Sequence, residues 1–132
     1  MVDTISAHHI IVCTSCCRDD GFEQPGFGLL KRLTDALASA GENLSAHFDL
    51  SGTSCMAGCA RPCTVSFLGK GKTTYLFGDI GEDADVGALV SFASLYMQRG
   101  DGMSREAERP AQLAGKTLAR IPPRPDRVSA VQ

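Results

Sequence analysis

Six cysteines stand in two tight groups, and no other cysteine occurs in the chain. Cys13, Cys16 and Cys17 fall in Val12-Cys13-Thr14-Ser15-Cys16-Cys17-Arg18, and Cys55, Cys59 and Cys63 in Ser54-Cys55-Met56-Ala57-Gly58-Cys59-Ala60-Arg61-Pro62-Cys63. Between the groups lie 37 residues, numbers 18 to 54. Thiolates are soft, anionic, strongly donating ligands, and groups at short spacing suit zinc or iron–sulfur clusters. A fold for this sequence therefore has to carry two distant segments to one place.

The rest of the composition narrows the function classes. The 132 residues fit one domain. A formal net charge of −2 argues against a dedicated nucleic-acid binder, which carries a basic stripe. It also gives no reason to invoke a membrane surface. The longest apolar run near the start is Ile10-Ile11-Val12, too short for an export signal or a membrane span. A reducing cytoplasmic setting is expected. There, grouped cysteines read as metal or redox sites rather than structural disulfides.

Hydrophobic spacing places the elements. His8 to Val12 is a short β-run ending at Cys13, followed by a polar, turn-rich stretch to Gly26. Leu29, Leu30, Leu33 and Leu37 recur at helical spacing, and Gly41 fits the position that stops the helix. Leu44, Ala46, Phe48 and Leu50 alternate with polar residues, the period of a half-buried strand. Thr64 to Leu68 and Thr73 to Phe77 read as a hairpin turning at Gly69-Lys70-Gly71-Lys72. Asp83 and Asp85 open a second helix, with Val86, Leu89, Val90, Ala93 and Met97 on one stripe, ending near Gly100. Beyond Asp101 the chain is polar and holds four prolines, with one short helix expected around Ala111 to Ala119.

The order is β-α-β, the second cysteine group, then β-β-α. A right-handed crossover makes the first two strands parallel. The expectation is a thioredoxin-like α/β domain over residues 5–100, a mixed four-stranded sheet with two main helices, and a polar tail over 101–132. With the third strand antiparallel beside the first, Cys13, Cys55 and Cys63 fall at one sheet edge.

At these residues the chain resembles the thioredoxin-like [2Fe–2S] ferredoxins and the related small subunit of respiratory complex I. One cysteine ends the first strand, a second lies in the following loop, and a Cys-x-x-x-Cys pair precedes a proline before strand three. More closely, Cys13-Thr-Ser-Cys16 and Cys55-x-x-x-Cys59-x-x-Pro62-Cys63-Thr-Val, with Tyr75-Leu-Phe-Gly-Asp79, look like a bacterial family catalogued as predicted metal-binding proteins. Members of that family often sit near genes for cobalamin synthesis. The resemblance covers residues 8–100. It implies a small electron carrier with a [2Fe–2S] cluster and no catalysis of its own. It also implies a redox partner protein, an oxidoreductase of cobalamin or tetrapyrrole metabolism in particular, and it admits a homodimer. The ligands it implies are Cys13, Cys16, Cys55 and Cys59. Here the chain departs from the ferredoxins, because its first two cysteines are closer together. Cys17 competes with Cys16, and Cys63 is an extra thiol that could stand beside the cluster or replace Cys59.

The residues themselves leave rivals. A [2Fe–2S] cluster needs two cysteines on each iron. Cys55 and Cys59, at i and i+4, serve one iron if their loop makes a helical turn, and small Ala57 and Gly58 let backbone N–H groups approach. Adjacent Cys16 and Cys17 in an extended stretch point to opposite sides, so one of them faces the site. A zinc-binding module would draw Cys13 and Cys16 with two thiols of the second group, although that group lacks the usual knuckle spacing. A thiol–disulfide oxidoreductase would use Cys13-x-x-Cys16, but the helix that should activate it begins about ten residues late.

Smaller signals carry less. Gly71-Lys72-Thr73 lacks the upstream glycine and the following helix of a phosphate loop, so it reads as a turn. Lys70 and Lys72 would suit docking to an acidic redox partner or simply a solvated turn. His8 and His9 lie at the wrong end of the first strand for a ligand role. Arg18 and Arg61 flank the cysteine groups, and no Ser–His–Asp or Cys–His arrangement is present to support an enzyme.

Overall fold

Short apolar alternation makes β1 (His8–Cys13), with Ile10 and Val12 fully buried and His9 and Ile11 half-buried on the other face. The structure is a computed structural model and describes residues 8–14, 25–41, 46–53, 63–81 and 85–123. Helix α1 (Pro25–Ala40) starts on a proline, which suits the first helical position because its missing N–H would be unpaired there anyway. Leu29, Leu33 and Leu37 line its buried stripe. Gly41 ends it at φ +133°, a conformation that side chains resist.

Strand β2 (Phe48–Thr53) pairs parallel with β1 along its whole length, from His8 with Phe48 to Cys13 with Thr53. It begins later than the sequence alternation suggests, since Ala46 and His47 are not in the strand and Leu44 lies outside the described residues. It also runs on through Ser51-Gly52-Thr53, residues of loop composition. Gly52 is needed there: a Cβ would meet Thr14 Cγ2 at 2.6 Å. Strands β3 (Val65–Gly69) and β4 (Thr74–Phe77) form the expected hairpin, with Gly71 at φ +70° in its turn. Helix α2 (Val86–Gln98) follows and packs against α1.

Among the described residues the sheet has five strands, not the expected four, in the order β2-β1-β3-β4-β5. Strand β5 (Thr117–Ile121) pairs antiparallel with β4. The helix expected over 111–119 is replaced by a 3-10 turn at Ala111–Leu113 and this strand, after a first such turn at Glu106–Glu108. Two forces favour the outcome. The strand satisfies backbone groups that β4 would otherwise leave open at an edge. Leu113 anchors the segment by joining the core.

That core is a single cluster between the two helices and one face of the sheet. Phe92 of α2 sits at its centre, edge-on to Phe67 at 4.8 Å, Tyr75 at 5.0 Å and Phe77 at 5.1 Å between ring centroids. Both buried tyrosines find acceptors. Tyr96 donates to the Thr73 carbonyl at 2.6 Å, and Tyr75 to the Gly102 carbonyl at 2.9 Å. Arg109 lies over the Tyr75 ring and donates to Ser104 and Thr117, tying residues 101–117 to the core.

Candidate functional site

The carboxyl end of β1 meets the carboxyl end of β2 and the amino end of β3. The Cys13 N–H donates to the Thr64 carbonyl at 3.0 Å. The Thr14 N–H donates to the Thr53 carbonyl at 2.8 Å, and its hydroxyl donates to the same oxygen at 3.1 Å. Three chain segments are thereby pinned side by side. The first cysteine-bearing stretch leaves from Thr14, the second leaves from Thr53, and the second returns at Cys63. Cys13 and Cys63 are both buried thiols, 1% and 0% exposed. Cys63 belongs to the hydrophobic core cluster, whereas Cys13 lies outside it, on the strand parity of His9 and Ile11. Cys16, Cys17, Cys55 and Cys59 lie outside the described residues. Among the described residues no group of three or more His, Cys, Asp or Glu side chains comes together.

A frame of longer-range bonds braces this sheet end. The Ile80 N–H donates to the Cys63 carbonyl at 3.2 Å, and Asp79 adopts φ +55° to turn the chain there. The Asp85 carboxylate, 7% exposed, accepts from the Gly81 N–H at 2.7 Å and from Lys116 Nζ at 2.6 Å. The Lys116 carbonyl accepts from the Gly78 N–H at 2.9 Å. Residues 78–81 and Asp85 are thus held from both sides, next to the residue that leads into β3. The sequence places Asp85 at a helix start, where the dipole favours it. Its partner is 31 residues away, so local pattern holds no trace of the pair.

At the opposite end of β1 the turn lysine is turned inward. Lys72 Nζ donates to His8 Nε2 at 2.8 Å and to the Tyr96 carbonyl at 2.8 Å, and sits 4.9 Å from the Tyr96 ring centroid. His8 Nδ1 donates to the His47 carbonyl at 3.1 Å, which fixes the tautomer that leaves Nε2 as acceptor. Burial and then the Lys72 charge hold the His8 pKa below its ordinary value. Lys72 therefore stabilises the fold, and of the two turn lysines Lys70 is the exposed one. Tyr96 is pushed well above the usual tyrosine range by burial, so it acts only as a neutral donor.

Among the described residues, a five-stranded mixed sheet backed by two helices, with buried cysteines where β1 ends and just before β3, makes a thioredoxin-like α/β architecture. A solved thioredoxin-like [2Fe–2S] ferredoxin from Aquifex aeolicus shares it at a TM-score of 0.57 and 15% identity, over 88% of this chain and 94% of that one. Two cysteine-to-serine variants of that ferredoxin match at TM-scores of 0.54 and 0.53, each at 13% identity over 85% of this chain and 98% of theirs. No curated protein sequence matches the chain. The chain belongs to the family described as protein of unknown function (DUF1636), whose model matches residues 10–123. Among the described residues no helix is long and apolar enough to cross a membrane.

Proposed function

We propose that the protein is a small electron carrier that holds a [2Fe–2S] cluster on Cys13, Cys16, Cys55 and Cys59. The observation that carries this reading is the pinning of Thr14 to Thr53 and of Cys13 to Thr64 at one sheet end. Cys16 follows Thr14 by two residues, and Cys55 follows Thr53 by two. Two residues of chain reach at most about 7 Å, and paired strands lie about 4.8 Å apart. Covalent reach thus allows a thiol of each group to approach the buried Cys13. The donor set fits the group, with soft thiolates in two pairs, one pair for each iron. Cys63, packed in the core, suits a neighbouring structural thiol.

When bound, such a cluster supplies one-electron exchange. The chain's own residues fix its seat. The Cys13 backbone is held in the sheet, and the frame of Ile80, Asp85 and Lys116 braces the return strand. Rigid support of this kind lowers the cost of rearrangement when charge changes. A docked redox protein is the natural partner, because electron exchange near a sheet edge needs no substrate pocket.

Anaerobic reconstitution with ferrous iron and sulfide tests the proposal. The expected product is a brown protein with two irons and two acid-labile sulfides per chain, as the cluster's composition requires. A colourless protein that takes up one zinc per chain and refuses iron and sulfide would replace this reading with a zinc-binding module.

A further inference from the structure

Away from the cysteine end, the tail folds over the end of α2 and leaves a cavity of about 240 Å³. Arg99, Met103, Ser104, Arg105, Glu108 and Arg120 line it. The three guanidinium groups come from three places: just past α2, the segment before the first 3-10 turn, and β5. Two carboxylates act on them, those of Glu108 and, on Arg99, Asp101. Glu108 takes Arg99 in a forked pair, Nη2 to Oε2 at 2.8 Å and Nη1 to Oε1 at 3.4 Å. Its Oε1 also accepts the Arg105 N–H at 2.8 Å. Hydrogen bonds from the Arg99 guanidinium and then the Arg105 N–H hold the Glu108 carboxyl down at about 2.

The other two arginines have donors to spare. Arg120 gives one N–H to the Ser104 carbonyl at 3.3 Å, and the Arg105 guanidinium, whose charge acts on Glu108, makes no direct ion pair among the described residues. The floor is rigid, because Arg109 fixes Ser104 through both its hydroxyl, at 3.1 Å, and its carbonyl, at 2.9 Å. Three arginines against Glu108 and the nearby Asp101 leave a local excess of one positive charge in a chain whose net charge is −2. Guanidinium groups kept only for solubility would spread apart, since like charges repel. Planar forked donors lining one open concavity match carboxylate and phosphate oxygens. The volume is below the roughly 300–1,000 Å³ of sites for drug-sized ligands, so it suits a small anion or one anionic group of a larger molecule.

We propose that this cavity binds the oxyanion of a small molecule, a phosphate or carboxylate group held between Arg105 and Arg120. The site stands apart from the cysteine end. Arg120 pairs with Tyr75 in the sheet, and the Asp101 carbonyl accepts the Thr73 N–H at 2.8 Å, toward the opposite end of β4 from Phe77 and Lys116. It therefore holds whether or not the chain binds a cluster.

The test is titration of the full chain with inorganic phosphate and, separately, with citrate, followed by amide chemical shifts in two-dimensional NMR. The expected result is saturable shifts confined to residues 99–108 and 117–121 with at least one of the two anions, and the better one names the group. Arg105→Gln and Arg120→Gln should each weaken that binding about tenfold, the value of a charge-assisted hydrogen bond. Both side chains are exposed, and urea unfolding checks that each variant stays folded. Glu108→Gln should tighten binding, since glutamine can still accept the Arg105 N–H while the competing charge is gone. Saturable shifts with neither anion would overturn the proposal. So would shifts spread equally to Lys70 and other surface cations, or binding that ignores both arginine substitutions.

Discussion

Lys72→Met would remove the ammonium that joins β1, the hairpin turn and the end of α2, while keeping most of the apolar stem. The lost donor serves His8 Nε2 at 2.8 Å and the Tyr96 carbonyl at 2.8 Å, with the Met97 carbonyl at 3.5 Å. A hydrogen bond from a charged group contributes about 1.5–3 kcal/mol, and a cation over an aromatic ring adds roughly 0.5–2 kcal/mol. Relief of the lysine's own desolvation offsets part of this, so the expected net loss is about 2–3 kcal/mol of folding stability. The same change alters the pH dependence. His8 has a folded-state pKa below its ordinary 6.5, first from burial and then from Lys72. A depressed histidine pKa means stability that is fully present above about pH 6.5 and is lost as pH falls through the folded value, with a slope of at most about 1.4 kcal/mol per pH unit. Without Lys72 the His8 value moves back up, and the slope below pH 6.5 shrinks. Urea unfolding followed by circular dichroism at pH 5, 6, 7 and 8 measures both effects. The reasoning is refuted if the variant loses less than about 0.5 kcal/mol, the range of an ordinary surface substitution. Parallel stability-versus-pH curves for the two proteins would refute the His8 coupling.

Three further outcomes are expected. Gly102→Ala should cost about 2–4 kcal/mol in urea unfolding, because it places a side chain at a positive φ and drives a Cβ into the Tyr96 ring. Gly102 is at φ +74°, and that Cβ would lie 2.7 Å from Tyr96 Cε1 and 3.3 Å from Lys72 Cβ. Phe92→Ala should cost about 3–5 kcal/mol, while Phe92→Leu should cost clearly less; equal losses would mean that retained bulk counts for nothing and the edge-on aromatic contacts at 4.8–5.1 Å carry the whole effect. Among the thiols, Cys13→Ser and Cys55→Ser should abolish iron retention after reconstitution, and Cys17→Ser should leave the visible spectrum unchanged. Loss of iron in Cys17→Ser together with retention in Cys16→Ser would reassign the first group, and loss in Cys63→Ser with retention in Cys59→Ser the second.

Much of the architecture is legible in the chain because its elements carry strong local periods. Leu29, Leu33 and Leu37 mark α1, and the Phe67, Tyr75 and Phe77 alternation marks the hairpin. One crossover rule then fixes β1 beside β2. What escapes is set by distant partners. Thr117 to Ile121 shows no clear alternation, and only pairing with β4 makes it a strand. Ser51-Gly52-Thr53 has loop composition and is extended because β1 supplies the other half of each hydrogen bond. Lys72 reads as a solvated turn residue until α2 brings its last carbonyls within reach. At the candidate site, the positions of Cys13 and Cys63 follow from strand order, whereas the Asp85–Lys116 brace depends on the unforeseen course of the tail.

The central claim is that one [2Fe–2S] cluster bridges the two cysteine groups. Electron paramagnetic resonance of the anaerobically reconstituted, dithionite-reduced chain tests it most directly. The account predicts a signal from one unpaired electron per cluster, integrating to about one spin per chain, absent from the oxidised protein and lost in Cys13→Ser. A reduced protein with full iron content and no such signal, or the same signal undiminished in Cys13→Ser, would contradict it.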